Sequence, residues 1–258
     1  MELTALVTGV ALRQVALVAR PGCKFATAMS TRPKPIVALD VPSLADARAL
    51  VSTLGHRADF YKVGLQLFSA EGPAVVEWLH SQGKRVFLDL KLHDIPSTVR
   101  KAAVNAGRMR AELLTVHGLG GDAMVRAAIE GAGATTGVLV VTVLTSMDLA
   151  TASRALGRPL ATLGEEVLRL AALAADAGAH GVVCAGSECA AVRVAHGSRL
   201  APLVPGLRTA AVAGDDQARV ATPEEASGAG AAYVVIGRAV TSAPDPLAAF
   251  EGVLARLS

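Results

Sequence analysis

The sequence is short of the residues that mark several classes of protein. Aromatic residues make up only 3% of the 258 residues, and the lysines and arginines, which leave a formal net charge of +3, form no basic run. A nucleic-acid-binding protein typically has a basic patch interleaved with aromatic side chains, so we expect no nucleic-acid partner. The sequence also has no run of about eighteen uninterrupted apolar residues, so we expect no membrane span.

Cysteine is scarce as well. The three cysteines, Cys23, Cys184 and Cys189, are odd in number and form no C-x-x-C pair. This usage fits free thiols in a reducing compartment better than a disulfide framework, and it predicts a cytoplasmic protein. A G-x-G-x-x-G motif after the first predicted strand is missing too, which argues against a dinucleotide-binding fold.

Small and aliphatic residues dominate what the sequence does contain. Hydrophobic residues make up 52% of the chain. Because few of them are aromatic, the core must consist largely of Ala, Val and Leu, as it does where helices pack on a parallel sheet. The length is typical of one α/β domain, and we expect a single domain over residues 35–258.

Residues 1–34 differ from the rest of the chain. They are moderately apolar, but Arg13 interrupts the apolar stretch and no basic segment precedes it, so a targeting segment has little support. We expect an N-terminal extension that is poorly ordered or lies upstream of the true start, for which Met29 is the candidate.

From residue 35 onward, short apolar runs rich in β-branched residues alternate with longer amphipathic runs. The predicted strands are Ile36–Asp40, Asp59–Val63, Val86–Leu90, Leu113–His117, Val138–Leu144, Gly181–Cys184, Leu200–Pro205 and Tyr233–Gly237. The predicted helices lie near 43–55, 71–83, 97–108, 120–132, 160–178, 187–197, 222–230 and 245–257. Eight such repeats predict an α/β fold that closes as a (β/α)8 TIM barrel, although an open doubly wound sheet would show the same alternation.

Polar and charged residues collect at the carboxyl ends of the predicted strands. They are Asp40, Lys62, Asp89, Lys91, His117, Thr145, Arg208 and Arg238. In a (β/α)8 barrel this end carries the active site. A lone acid at a strand end is usually a turn former or a helix cap, but this many polar residues at one end predict a functional site. A single strand-end histidine such as His117 is more often structural, and we assign it no catalytic role.

The densest group of these residues is the segment 89–94, Asp-Leu-Lys-Leu-His-Asp. Side chains two residues apart on a strand point to the same face, so Asp89 and Lys91 should both project into the barrel mouth. Lys62, near the end of the preceding strand, should lie beside them. An ion-pair network that only stabilises the barrel is the alternative interpretation. We favour function, because such charges are costly to desolvate.

The segment 89–98, Asp-Leu-Lys-Leu-His-Asp-Ile-Pro-Ser-Thr, resembles the signature of the orotidine 5′-monophosphate decarboxylase family. Further blocks resemble that family in the same order, at 37–40, 62–64, 141–147, 205–208, 216–217 and 235–238. The resemblance extends from about residue 35 to the C-terminal end. It implies a homodimeric barrel with shared active sites that converts orotidine 5′-monophosphate (OMP) to UMP and CO2 without a cofactor or a metal ion.

The resemblance also implies roles for individual residues. Lys62, Asp89, Lys91 and Asp94 would form a catalytic tetrad in which Lys91 protonates C6 of the pyrimidine, and Asp94 and Thr98 would reach into the site of the partner subunit. The residues that would bind the substrate are Asp40, Lys62, Thr98, Thr145, Ser146, Arg208, Gln217, Gly237 and Arg238. Loss of CO2 from an sp2 carbon leaves a carbanion, and a cation placed there can stabilise the charge and then supply the proton.

The phosphate site has support that does not depend on the resemblance. Barrels of this type often bind phosphate with the loops after strands seven and eight. Here those loops contain Arg208 and the pair Gly237 and Arg238. Glycine lets backbone N–H groups approach the phosphate oxygens, and arginine adds charge-assisted hydrogen bonds. We therefore expect the phosphate group on this side of the barrel mouth.

Two other functions stay open on the residues alone. Sugar-phosphate decarboxylases and aldolases of the same superfamily carry Asp-x-Lys-x-x-Asp on the third strand and use Mg2+ to stabilise an enediolate. Here the acids are interleaved with lysines, which would repel a divalent ion. The segments 93–96 and 144–147 also match the orotidine 5′-monophosphate decarboxylase family better. A non-catalytic phosphosugar-binding barrel is the second alternative, and the intact tetrad argues against it.

Overall fold

A computed structural model describes residues 32–208 and 219–257 of the chain. Met29, Cys23 and Gln217, together with the expectation for the N-terminal extension, lie outside the described residues. The strands are β1 (Lys34–Ala38), β2 (Phe60–Gly64), β3 (Arg85–Leu92), β4 (Leu113–His117), β5 (Gly137–Val141), β6 (Gly181–Val183), β7 (Ala201–Val204) and β8 (Tyr233–Ile236). The helices are α1 (Leu44–Leu54), α2 (Leu65–Glu71), α3 (Ala74–Ser81), α4 (Pro96–Arg108), α5 (Gly121–Ala132), α6 (Leu149–Ala155), α7 (Leu163–Ala177), α8 (Gly186–His196), α9 (Pro223–Gly228), α10 (Arg238–Thr241) and α11 (Pro246–Arg256).

The strands form one closed barrel in chain order. Each strand pairs in parallel with the next, and β8 closes the ring on β1, where Ile236 lies opposite Val37. The predicted (β/α)8 barrel is therefore confirmed, and the open doubly wound sheet is excluded. The short helices α2, α6 and α10 were not predicted, because four to seven residues are too few to show a helical hydrophobic period.

The core has two layers that follow from the alternation of side chains along each strand. One cluster lies between the sheet and the helices and includes Tyr61 and Val63 of β2. The other fills the barrel and includes Phe60 of β2 and Phe87 of β3. Since side chains alternate, the strand that directs Phe60 inward also directs Lys62 inward, one layer nearer the carboxyl end.

Capping side chains set the starts of helices α1 and α9. Ser43 caps α1 by accepting a hydrogen bond from the backbone N–H of Asp46 at 3.2 Å. Thr222 and Glu225 form a capping box at α9, with Pro223 in its first turn. These caps fix where the helices begin after their loops. Within the described part of the chain, no helix is both long and apolar enough to cross a membrane.

Candidate active site

A cavity of about 650 Å3 opens at the carboxyl ends of the strands. Its inner wall is formed by apolar side chains such as Phe87 and Val235, and polar groups surround its mouth. Eight of the predicted site residues line it, namely Asp40, Lys62, Asp89, Lys91, Thr145, Arg208, Gly237 and Arg238. The barrel thus brings together residues that are up to 198 positions apart in the sequence, from 40 to 238.

Four of these residues form a chain of alternating charge. Lys62 Nζ lies 2.8 Å from Asp40 Oδ1 and 3.6 Å from Asp89 Oδ2, and Lys91 Nζ lies 2.8 Å from Asp89 Oδ2. The inner members are nearly enclosed, with the side chains of Lys62 and Asp89 only 9% and 13% exposed, while that of Lys91 is 32% exposed. The predicted array of lysines and carboxylates therefore exists, and Lys91 is its more accessible cation.

Asp89 is ionised in this setting. Burial raises the pKa of the Asp89 carboxyl, but the charges of Lys62 and Lys91 and hydrogen bonds from Lys91 and Thr115 outweigh that effect and hold the pKa below its usual value. A substrate carboxylate placed beside Asp89 would therefore meet a negative charge.

The backbone at Lys91 departs from the regular strand that the sequence predicts. Lys91 has a φ of +47°, and the register of β3 against β4 shifts between Leu88 and Leu92. Simple alternation along a regular strand predicts Lys91 beside Asp89. The two side chains do meet, but through a bulge in which Lys91 adopts a left-handed conformation that non-glycine residues rarely take.

Gly64 leaves space for the charged array. A Cβ atom at this position would lie 2.7 Å from Lys62 Nζ and 2.9 Å from Asp40 Oδ1. Both contacts are too close, so any side chain here would displace the two charged groups. The glycine of the segment Lys62-Val63-Gly64 is needed for space around the charges.

The expected phosphate side of the cavity is built by the ends of β7 and β8. Arg208 is only 7% exposed, and its backbone N–H donates to the carbonyl of Ala221 at 3.0 Å. Leu207 pairs with Ala221 in a parallel bridge, which joins the chain after β7 to the approach of α9. Gly237 and Arg238 follow β8 and line the same cavity. Two cationic side chains therefore border the space predicted for the phosphate.

Three predicted site residues do not line the cavity of the single chain. Asp94, Thr98 and Ser146 are all exposed, and the carboxylate of Asp94 accepts a hydrogen bond from the backbone N–H of Ile95 at 2.6 Å. Asp94 and Thr98 are the residues that the sequence assigned to the site of a partner subunit. Gln217 lies outside the described residues.

Other polar residues at the mouth were not identified from the sequence. Gln66, Thr241 and Ser242 line the cavity from the short helices α2 and α10 and their ends, which have too few residues for a sequence pattern. Arg219 contacts the carboxylate of Glu188 and donates to the carbonyls of Val143 and Leu144 at 3.2 and 3.1 Å. This arginine joins the chain before α9 to the segment that follows β5, and only the folded structure reveals the contact.

His117, at the end of β4, lies beside the array without lining the cavity. Its ring centroid is 5.5 Å from that of His93. Burial, together with the neighbouring His93 and Lys91, lowers the pKa of His117 and favours the neutral ring. In the described ranges, no group of three or more His, Cys, Asp or Glu residues is arranged to hold a metal ion.

Comparisons with known proteins agree on one family. A protein-family model described as Orotidine 5'-phosphate decarboxylase / HUMPS family matches residues 33–253. The orotidine 5'-phosphate decarboxylase of Anaeromyxobacter dehalogenans is 51% identical over 222 residues, which cover 85% of this chain and 96% of that protein. The protein of the same name from Halorhodospira halophila is 44% identical over 231 residues, which cover 88% of this chain and 96% of that protein.

Solved structures show the same similarity. The crystal structure of orotidine 5'-phosphate decarboxylase from Lactobacillus acidophilus has a TM-score of 0.77 and 35% identity, and the match covers 88% of this chain and 99% of that one. A second crystal structure, from Pyrococcus horikoshii OT3, has a TM-score of 0.70 and covers 86% of this chain and 98% of that one. At 23% identity this second match bears on the fold alone.

Proposed function

Since the chain belongs to the orotidine 5'-phosphate decarboxylase / HUMPS family and is a carboxy-lyase that forms UMP and CO2 from OMP in pyrimidine biosynthesis, we propose that Lys62, Asp89 and Lys91 carry out the reaction. The observation that carries this proposal is the array itself. A buried, ionised carboxylate is held between two ammonium groups that both line the cavity, and that of Lys91 is the more exposed.

Lys91 is the proposed proton donor. Loss of CO2 from C6 of the pyrimidine leaves an electron pair on a ring carbon that has no electron sink. An ammonium group at that carbon stabilises the developing negative charge and then transfers its proton to C6, which gives UMP. Lys91 suits this role because it is fixed by Asp89 at 2.8 Å and its side chain is the more exposed of the two lysines.

Asp89 is proposed to act on the leaving carboxylate. Its pKa lies below the usual value, so it carries a negative charge when the substrate binds. The repulsion between the two carboxylates is relieved as CO2 departs. Lys62, which contacts both Asp40 and Asp89, holds the array together and carries part of the compensating charge.

The remaining predicted site residues are proposed to bind the rest of the nucleotide. We assign the ribose to Asp40 and Lys62, and the pyrimidine to Thr145 and Ser146. The group proposed to bind the phosphate comprises Arg208, Gln217, Gly237 and Arg238. Because Arg208, Gly237 and Arg238 line the cavity from the ends of β7 and β8 and Lys91 lines it from β3, binding energy from the phosphate can orient the pyrimidine over Lys91.

A homodimer with shared active sites completes the proposal. Asp94 and Thr98 are exposed next to Ile95, an apolar residue that is 64% exposed, and Leu65 and Leu119 at neighbouring strand ends are 56% and 46% exposed. Apolar side chains at the rim of a site are typical of an interface. A second copy docked there would cover them and bring Asp94 and Thr98 towards the partner's cavity.

Mixed dimers test the shared site. The homodimeric variants Lys91→Ala and Asp94→Ala should each be nearly inactive. After subunit exchange, a heterodimer has one site with both lesions and one with neither. Random reassortment of equal amounts makes about half of the dimers mixed, so roughly a quarter of wild-type activity per site should return. Verified exchange without recovery would contradict the shared site.

Turnover of OMP, followed by absorbance, tests the cofactor-free mechanism. Each carboxylate of the array contacts a lysine, an arrangement that disfavours a divalent cation. We expect the same rate before and after exhaustive treatment with EDTA. A rate that depends on added Mg2+ would favour the metal-dependent sugar-phosphate chemistry described above.

We also propose a cytoplasmic location. Cys184 and Cys189, the two cysteines within the described residues, are both buried free thiols. Free thiols are typical of a reducing compartment. Fractionation of the producing cells, with activity found outside the cytoplasmic fraction, would contradict this proposal.

A further inference from the structure

We propose that Thr115 is a positioning residue for decarboxylation, because its single hydroxyl group makes hydrogen bonds to both Asp89 and Lys91. This inference rests on the roles proposed above for those two residues. Thr115 lies in the middle of β4, is fully buried and does not line the cavity. It therefore acts on the reaction only through its neighbours.

The hydroxyl of Thr115 makes one hydrogen bond as acceptor and one as donor. Its Oγ1 accepts from the backbone N–H of Lys91 at 2.9 Å. The same oxygen donates to Asp89 Oδ1 at 3.0 Å. A hydroxyl has one proton to donate, and here that proton is directed to the carboxylate at the centre of the array.

The first of these bonds supports the unusual backbone at Lys91. The pairing of β3 with β4 is interrupted between Leu88 and Leu92, and Lys91 has a φ of +47° within that interval. In a regular strand the neighbouring backbone would satisfy the N–H group of Lys91, whereas here the side chain of Thr115 does. The hydroxyl thus stabilises the conformation that directs the Lys91 side chain into the cavity.

The second bond sets the orientation of the Asp89 carboxylate. Oδ1 faces Thr115, and Oδ2 is the oxygen that contacts Lys91 at 2.8 Å and Lys62 at 3.6 Å. Rotation of the carboxylate would break the contact with Thr115 and change both lysine distances together. One buried hydroxyl therefore determines how the ionised oxygens of Asp89 are presented to the two cations.

Other buried threonines in the barrel do not have this arrangement. The hydroxyl of Thr136 donates to the carbonyl of Ala111 at 2.7 Å, and that of Thr142 donates to the carbonyl of Val183 at 2.7 Å. Thr136 lies just before β5, at the end of the barrel away from the cavity. It is a matched control, since it is also a buried threonine with one well-formed hydrogen bond.

The experiment compares Thr115→Val, Thr115→Ser and Thr136→Val with the wild-type enzyme. Valine keeps the volume and removes the hydroxyl, and serine keeps the hydroxyl. We expect Thr115→Val to lower kcat roughly 10- to 100-fold, because a small misplacement of reacting groups has effects of this size. The Kd of UMP should stay within about 3-fold of wild type, since the two hydrogen bonds of Thr115 go to Asp89 and Lys91 and not to the groups proposed to bind phosphate and ribose.

The controls separate positioning from packing. Thr115→Ser should recover most of kcat, and Thr136→Val should lower the melting temperature while leaving kcat unchanged. Thr115→Ala provides a second variant without the hydroxyl if the valine does not fold. Equal losses of kcat in the serine and valine variants, or a loss of UMP affinity as large as the loss of kcat, would overturn the inference.

Lys91→Ala, measured in parallel, separates a failure of the role proposed for Lys91 from a failure of the role proposed for Thr115. Full turnover by Lys91→Ala would refute the role of Lys91 itself, whatever Thr115 does. An inactive Lys91→Ala together with a fully active Thr115→Val would leave the role of Lys91 intact and refute the positioning role of Thr115.

Discussion

The two ends of the barrel interior both hold charged side chains, but in different arrangements. At the amino ends of the strands, Arg85 forms a bidentate pair with Glu112, with Nε to Oε2 at 2.6 Å and Nη2 to Oε1 at 2.5 Å. The same guanidinium lies over the ring of Phe60, 4.1 Å from its centroid. At the carboxyl ends, Lys62 is shared between two carboxylates and Lys91 faces the cavity.

This difference suits the two ends to different roles, stability at the amino ends and the proposed chemistry at the mouth. At the amino end, the cation Arg85 has its partner carboxylate and an aromatic ring on which it packs, and His180 pairs with the hydroxyl of Tyr233 at 2.9 Å. At the mouth, one face of Lys91 is held by Asp89 and another is open to a ligand. We therefore expect substitutions at the mouth to change turnover and those at the amino end to change stability.

The largest effect is expected at Lys91. Lys91→Ala should lower turnover by several orders of magnitude while leaving UMP binding largely intact, because in the proposed mechanism the lost cation acts mainly on the carbanionic transition state. Steady-state rates and calorimetric titration with UMP give the two quantities. Lys34→Ala, which removes a lysine from the amino end of β1, is the matched control and should turn over OMP at a rate near wild type. Near-wild-type turnover by Lys91→Ala would remove the distinction between the two ends.

A smaller effect is expected for the phosphate side of the mouth. Arg238→Ala should weaken the binding of UMP by roughly 10- to 100-fold, the usual size for hydrogen bonds to a charged group, and should hardly affect the binding of uridine. Arg199, an exposed arginine paired with Asp176 at 2.9 Å, gives the control Arg199→Ala. Equal losses for UMP and uridine would show that Arg238 does not bind the phosphate.

The amino end of the barrel should contribute to the pH dependence of the free energy of unfolding. Burial, with a further contribution from Lys34, lowers the pKa of His180 from 6.5 to about 4. As pH falls from about 6.5 to about 4, the unfolded chain binds a proton at this position and the folded chain does not, so the free energy of unfolding should fall by up to about 3 kcal/mol. Below pH 4 both states are protonated and this contribution stays constant.

The comparison with His180→Gln isolates this contribution. Urea unfolding at a series of pH values should show a weaker decrease for His180→Gln than for wild type, while His56→Gln, at an exposed histidine, should follow the wild-type curve. Parallel curves for wild type and His180→Gln would contradict the lowered pKa.

The sequence was sufficient to predict the barrel and the charged array, for identifiable physical reasons. Strand alternation placed Asp89 inward, and a position near the end of the preceding strand placed Lys62 beside it. In the structure each lies on an inward face that also holds a phenylalanine, Phe60 or Phe87. Lys91 was assigned correctly to the cavity, but on the assumption of a regular strand, whereas its backbone is left-handed. Local alternation cannot predict such a bulge.

The role of Thr115 could not be predicted from the sequence for a related reason. It reads as an ordinary strand residue between apolar neighbours, and its importance comes from a contact with residues 24 and 26 positions away. Asp94 and Thr98 are exposed in the single chain, and the shared site to which the sequence resemblance assigns them stays a prediction.

Gly64 has a consequence for how sequences of this family are compared. The two atoms that a Cβ would approach, Lys62 Nζ and Asp40 Oδ1, lie at the tips of flexible side chains, so a Gly64→Ala protein could fold by moving them aside. Such a protein would keep every acid and base of the array and still have lost their spacing. A survey that scores only charged residues would not detect this change. The absence of a side chain at residue 64 should therefore be scored together with the charged residues of the array.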